Sequence, residues 1–168
     1  VVPDTDGKLY AATQVGDEAR HVEVFYRYIT RLDRVYPIDP QLQAVLNAIL
    51  AADTWQKKCV GMQIIVESLA MGSFKLMKEG SKDELLRKVV ELTAQDEARH
   101  VSYGVIYMKD ELPRMTEAGR DDLEDFAFGA VSAVVGRAGS GGISTLNVLA
   151  EVGIDREKAI AEMREKFS

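Results

Sequence analysis

The chain holds only two histidines, His21 and His100, and each closes the same pentapeptide, Asp-Glu-Ala-Arg-His, at residues 17–21 and 96–100. By residue frequency a given histidine has a glutamate three places ahead roughly one time in fifteen. Two out of two, with all five letters repeated, argues for a shared task. On a helix that offset sets carboxylate and imidazole on one face, where an oxygen and a nitrogen reach the same cation. Glu18 with His21 and Glu97 with His100 are therefore candidate metal ligands. One isolated copy would read as a solvated helix face; the repetition weighs against that.

The surrounding pattern is helical throughout, with no sustained alternation of period two, so the spacing predicts an all-α fold. A helix is expected over 7–35, with Val15, Ala19, Val22, Phe25 and Ile29 at intervals of three or four, stopped by the turn that contains Pro37 and Pro40. The next runs from Gln41 to about Glu79, close to roughly 60 Å if unbroken, with a kink or bulge near Gly61. Ser81 or Asp83 can cap a third helix that ends at Pro113. A fourth, about 117–136, is expected to bury Leu123, Phe126, Ala130, Val131 and Val134. The Gly-rich run at 136–142 reads as a linker without a phosphate-loop pattern, and 143–166 as one or two short terminal helices. Val15, Ala19, Val22 and Phe25 flank the first motif and Leu92, Val101, Val105 and Ile106 the second. Each motif thus lies beside an apolar stripe expected to face the core.

Glu67 sits in the apolar run QIIVESLAMGSF. A buried carboxylate is costly unless it is paired, coordinates a cation or stays protonated. Helices 41–79 and 83–112 are joined by a short turn and pack antiparallel, which lets Glu67 and Glu97 face each other. Oxygen ligands with two imidazoles suit iron or manganese more than zinc or copper.

Glu18-x-x-His21, Glu67 and Glu97-x-x-His100 together resemble the ferritin-like di-iron carboxylate superfamily, in which two helices each give a Glu and two others each give Glu-x-x-His. The resemblance covers about residues 7–112 and implies an antiparallel four-helix bundle with additional C-terminal helices, forming one domain over 1–168. It implies two iron ions, or manganese or a mixed manganese/iron pair, held by Glu18, His21, Glu67, Glu97 and His100. One glutamate of the pattern is missing. The 30-residue spacing from Glu67 to Glu97, applied to the first half, puts the partner of Glu18 about twelve positions before Val1, on a core helix expected to be cut off; Asp4 or Asp6 is a weaker substitute. The superfamily also implies that Asp17 and Asp96, just before the ligating glutamates, support the imidazoles through the second ring nitrogen, with Arg20 and Arg99 paired to them. Ordinary surface ion pairs would use the same four residues.

The resemblance implies a dioxygen-activating oxidase or oxygenase for a small organic or fatty substrate. Ferroxidase or peroxide handling of the ferritin or rubrerythrin kind is the alternative, and a bundle with a vestigial site a third. Ribonucleotide reductase small subunits place a radical-bearing tyrosine where this chain has Phe25, and Tyr26, Tyr28, Tyr103 and Tyr107 read as packing at helix edges. Arylamine N-oxygenases carry a further histidine where this chain has Thr93, so a three-histidine site is not supported. Ala70, Met71 and Gly72 near Glu67 would leave room for an apolar substrate, or pack closely. Without a nucleotide-binding motif, electrons would come from a separate reductase or ferredoxin.

A net charge of -6 weighs against nucleic acid as partner. The single cysteine, Cys59, allows no internal disulfide, and no leader or membrane span is evident in the sequence. A cytoplasmic homodimer is the resulting expectation.

Overall fold

A computed structural model describes residues 2–137, and every regular element among them is helical. They are α1 (Thr5–Leu32), α2 (Pro40–Ala51), α3 (Trp55–Cys59), a π-helical segment (Val60–Val66), α4 (Glu67–Gly80), α5 (Glu84–Glu111) and α6 (Glu117–Arg137), with a short 3-10 turn, Leu112–Arg114, before α6. Most of the Gly-rich run and all of 143–166 lie outside the described residues; Gly136 and Arg137 close α6.

Side chains mark the starts of the helices. Asp4 accepts the Gly7 N–H at 2.8 Å, Asp39 those of Gln41 and Leu42 at 3.0 Å each, and Asp83 those of Leu85 and Leu86, each satisfying amides that the first turn leaves open. Asp83 is thus the cap of α5, and Ser81 Oγ accepts the Asp83 N–H. The first helix begins earlier than expected: α1 starts at Thr5, with Asp6 in its first turn and Asp4 as its cap.

The long helix expected from Gln41 to Glu79 is broken after Ala51, and Thr54 caps a new start by accepting the Lys57 N–H. The bulge expected near Gly61 is the π-helical segment, with Gly61 as its second residue. Glu67 closes it, its N–H reaching the carbonyl of Met62 five residues back.

The π segment and α4 run antiparallel to α5, where Gly104 permits a close approach, as Gly61 does toward Ile49 of α2. A methyl group on Gly104 would stand 2.6 Å from Gln63 Cβ, and one on Gly61 2.7 Å from a methyl of Ile49. Cys59, Met108 and Leu123 form an apolar cluster with Trp55, Val60, Ile64 and Met115, fastening α6 to α3 and α5. α1 lies along α5 through Tyr10 stacked on Tyr103 at 4.1 Å, the Tyr103 hydroxyl donating to the Gly7 carbonyl, and the Tyr107 hydroxyl donating to Asp4. Phe25 stacks on Phe74 of α4, and Tyr28 donates to Asp83. Tyr28, Tyr103 and Tyr107 therefore serve helix packing and capping, while Tyr26 is exposed.

Two expectations are corrected. The apolar stripe beside the motifs does not face the core: Val15 is 68% and Val22 70% exposed, and Leu92, Val105 and Ile106 are exposed as well. The buried line of α1 is Gly7, Gln14 and His21, and that of α5 includes Thr93, Glu97 and His100, so the interior is polar at this level. In α6 Leu123 is buried but Val131 is exposed. The continuous helical run Trp55–Gly80 is long and apolar enough to cross a bilayer by length and composition alone, and it carries the buried Glu67.

Candidate metal centre

Both pentapeptides lie mid-helix, on α1 and α5, and their Glu-x-x-His faces meet. His100 is fully buried, and His21, Glu67 and Glu97 nearly so, whereas the Glu18 side chain is 44% exposed. Glu97 approaches both imidazoles, 2.8 Å from His100 Nδ1 and 3.2 Å from His21 Nδ1. Glu18 does the same from the other side, at 3.2 Å and 3.6 Å. Single ligand atoms of Glu18, Glu67, Glu97 and His100 all fall within 4.8 Å of one another. Four of the five expected ligands thus form one group, and His21, outside it, adjoins through its contacts to Glu18 and Glu97. Neither Asp4 nor Asp6 joins that group.

The outer nitrogens make a crossed pair. His21 Nε2 is 3.0 Å from Asp96, and His100 Nε2 3.3 Å from Asp17, so each aspartate supports the histidine of the other motif. Arg20 bridges Asp17 and Asp96 at 2.8 and 2.7 Å, and Arg99 closes the ring with 2.6 Å to Asp96 and 3.4 Å to Asp17. The two readings of these four residues, imidazole support and ion pairing, are both realised. Burial raises the Asp96 carboxyl, but hydrogen bonds from His21, Arg20 and Arg99 outweigh it and hold the group well below the usual carboxylate range. Asp17 is lowered in the same way, against burial, by Arg20 and His100.

Those ionised aspartates fix the tautomers. A carboxylate only accepts, so each Nε2 carries the proton, and a neutral imidazole then presents a lone pair at Nδ1. Both Nδ1 atoms point at glutamate oxygens. His21 Nδ1 is buried without a hydrogen-bond partner, and in the neutral ring it would face carboxylate lone pairs with a lone pair of its own. Glu67 is also out of place as an anion: burial, then Glu97 and Glu18, drive its carboxyl far above the ordinary range. Divalent cations among these atoms would relieve every one of these conflicts. The donor set fits hard metal ions, which Glu18, His21, Glu67, Glu97 and His100 would hold.

Two residues near this cluster were absent from the sequence reading. Gln14, buried on α1, places Nε2 3.4 Å from both Glu18 and Glu67; its position four residues before Glu18, on the same helical face, is the signal that would have found it. Gln63 in the π segment has a buried side-chain oxygen without a partner. Of the residues expected to leave room for a substrate, Ala70 and Met71 are half-buried, whereas Gly72 is exposed and faces open space.

A family model described as P-aminobenzoate N-oxygenase AurF matches residues 2–167. No curated protein and no solved structure matches the chain.

Proposed function

Because the chain belongs to the p-aminobenzoate N-oxygenase AurF family, whose members are ferritin-like di-iron oxygenases, we propose that it uses dioxygen to oxidise a small organic substrate at a di-iron centre held by Glu18, His21, Glu67, Glu97 and His100. The observation that carries this reading is the buried, partnerless His21 Nδ1 between two carboxylates. Bound iron supplies the redox chemistry of dioxygen activation. The chain's own part is to orient and to shield. Asp96 and Asp17 hold the imidazole rings so that Nδ1 faces inward, the guanidiniums of Arg20 and Arg99 keep both aspartates ionised, and the buried Glu67, Glu97 and His100 keep bulk water from one side of the centre.

Thr93 leaves a three-histidine site unsupported, and the chain nonetheless belongs to this family. A third histidine is not required for belonging to it, since the whole chain holds only His21 and His100. The substrate class we favour is therefore a small organic molecule, with aromatic amines first on the panel. Electrons come from a separate reductase or ferredoxin in this reading.

The test is metal analysis of the purified chain, then anaerobic ferrous titration, mixing with dioxygen, and mass spectrometry of products from an amine and fatty-acid panel with a chemical reductant. Two irons per chain and oxygen incorporated into a substrate support the reading. Iron that accumulates as mineral without substrate oxidation would favour the ferroxidase alternative, and a protein that never holds more than trace metal would overturn the oxygenase.

A further inference from the structure

The two pentapeptides are identical, but the residues one turn ahead of them are not. Four places before Glu97 stands Thr93, and four before Glu18 stands Gln14; both are buried. The Gln14 amide extends across from α1, and its Nε2 lies 3.4 Å from Glu18 Oε1 and 3.4 Å from Glu67 Oε1. These carboxylates come from different helices and carry like charge when ionised. A primary amide nitrogen has two hydrogens to give and an ionised carboxylate can only accept, so one Gln14 side chain can serve both at once. Its own burial leaves it little alternative, because a desolvated amide that loses its partners is costly. Thr93 has a shorter side chain and carries no such fork.

We propose that Gln14 is a positioning residue that holds Glu18 Oε1, the oxygen that also lies 3.2 Å from His100 Nδ1, together with Glu67 Oε1, fixing these two carboxylates relative to each other and making the two metal positions chemically unequal. Glu97, which touches both imidazoles, has no amide of this kind upon it among the described residues. The unequal treatment of the carboxylates is built into α1 and does not depend on which ion binds. This inference rests on the two-metal reading above.

The test compares the full chain with Q14M, which keeps length and bulk but removes both donors, and with Q14E, which keeps the shape and replaces donor by acceptor. Metal-free proteins are checked for fold by circular dichroism and titrated with cobalt(II) and iron(II). The parent chain is expected to bind two ions with distinct affinities. Q14M is expected to bind the weaker ion at least tenfold more weakly, with a changed d–d absorption of the cobalt form; in the iron-loaded enzyme kcat falls while KM stays within twofold. Should Q14M fail to fold, Q14E carries the same comparison, with an altered cobalt spectrum expected. A folded variant with the parent's two affinities and cobalt spectrum would overturn the role of Gln14 and leave the two-metal reading standing. A parent chain that binds no ion would overturn both.

Discussion

Asp96 is the most heavily engaged side chain around the centre. It accepts from His21, Arg20 and Arg99, so replacing it with asparagine removes the charge that fixes the His21 tautomer while keeping the shape. Loss of such a supporting group commonly weakens metal binding by about 10–100-fold. D96N is expected to fall in that range in an iron(II) or cobalt(II) titration, with the helical circular dichroism preserved; binding within twofold of the parent would show that Asp96 is only an ion-pair partner. The crossed arrangement, Asp96 to His21 and Asp17 to His100, was not legible in the sequence. Adjacency along the chain points to support within each motif. The cross-pairing arises because α1 and α5 present the same face to one another, which is a fact of packing.

At the scale of elements, the starts of α2 and α5 were readable because Pro40 and Asp83 carry their signals locally. The break after Ala51 was missed because Asp53 and Thr54 were read as part of a continuous run, although Thr54 is an ordinary cap. The polar interior was missed for a physical reason too. Hydrophobic periodicity locates the core when the core is apolar, and here the buried lines of α1 and α5 carry Gln14, His21, Thr93, Glu97 and His100, while valines and leucines lie on their flanks. The α5 approach to the π segment is similarly specific. Gly104→Ala puts a methyl 2.6 Å from Gln63 Cβ, and since that neighbour is anchored to its backbone the change is expected to destabilise by about 1–3 kcal/mol. Thermal unfolding of the metal-free chain checks this, and an unchanged midpoint would mean that the two helices separate at no cost.

The whole molecule has opposing responses to pH. Glu67 titrates above its unfolded value of about 4.3, so in the metal-free chain its contribution to stability is fully present below that value and is lost as pH rises through the raised one. Asp17 and Asp96 titrate below theirs; their contribution is present above the unfolded value and is lost as pH falls through the depressed ones. The metal-free protein should therefore lose stability toward both acid and base, and cations should abolish the loss on the basic side, since Glu67 must release its proton to bind them. Denaturant melts of metal-free and metal-loaded chain across pH, with calorimetry in buffers of different ionisation enthalpy, read both effects. Proton uptake or no proton exchange on binding would contradict the placement of Glu67. The all-α bundle and its membership in a di-iron family could be anticipated from two pentapeptides and one buried glutamate, because those residues impose long-range geometry. Neither the substrate nor the covering of the exposed flank of α1 is written in residues of that kind.

The π-helical segment that ends at Glu67 has a consequence for how this helix can change over time. A helix keeps angular phase, about 100° per residue, and one residue more than the α ladder needs sets the two sides of Val60–Val66 out of step. At its start, Gly61 meets Ile49 and the preceding Cys59 joins the apolar cluster; at its end, Glu67 turns toward Glu18, Glu97 and His100. Deleting any one residue of that stretch would give a more regular helix and a worse protein, with either the cluster or the carboxylate rotated off its partner. A deletion of Ile64 is expected to keep helical content while losing either cooperative unfolding or metal binding. The irregularity lets one helix present two faces that a regular ladder would not bring into phase, one to the apolar cluster and one to the carboxylate and imidazole group.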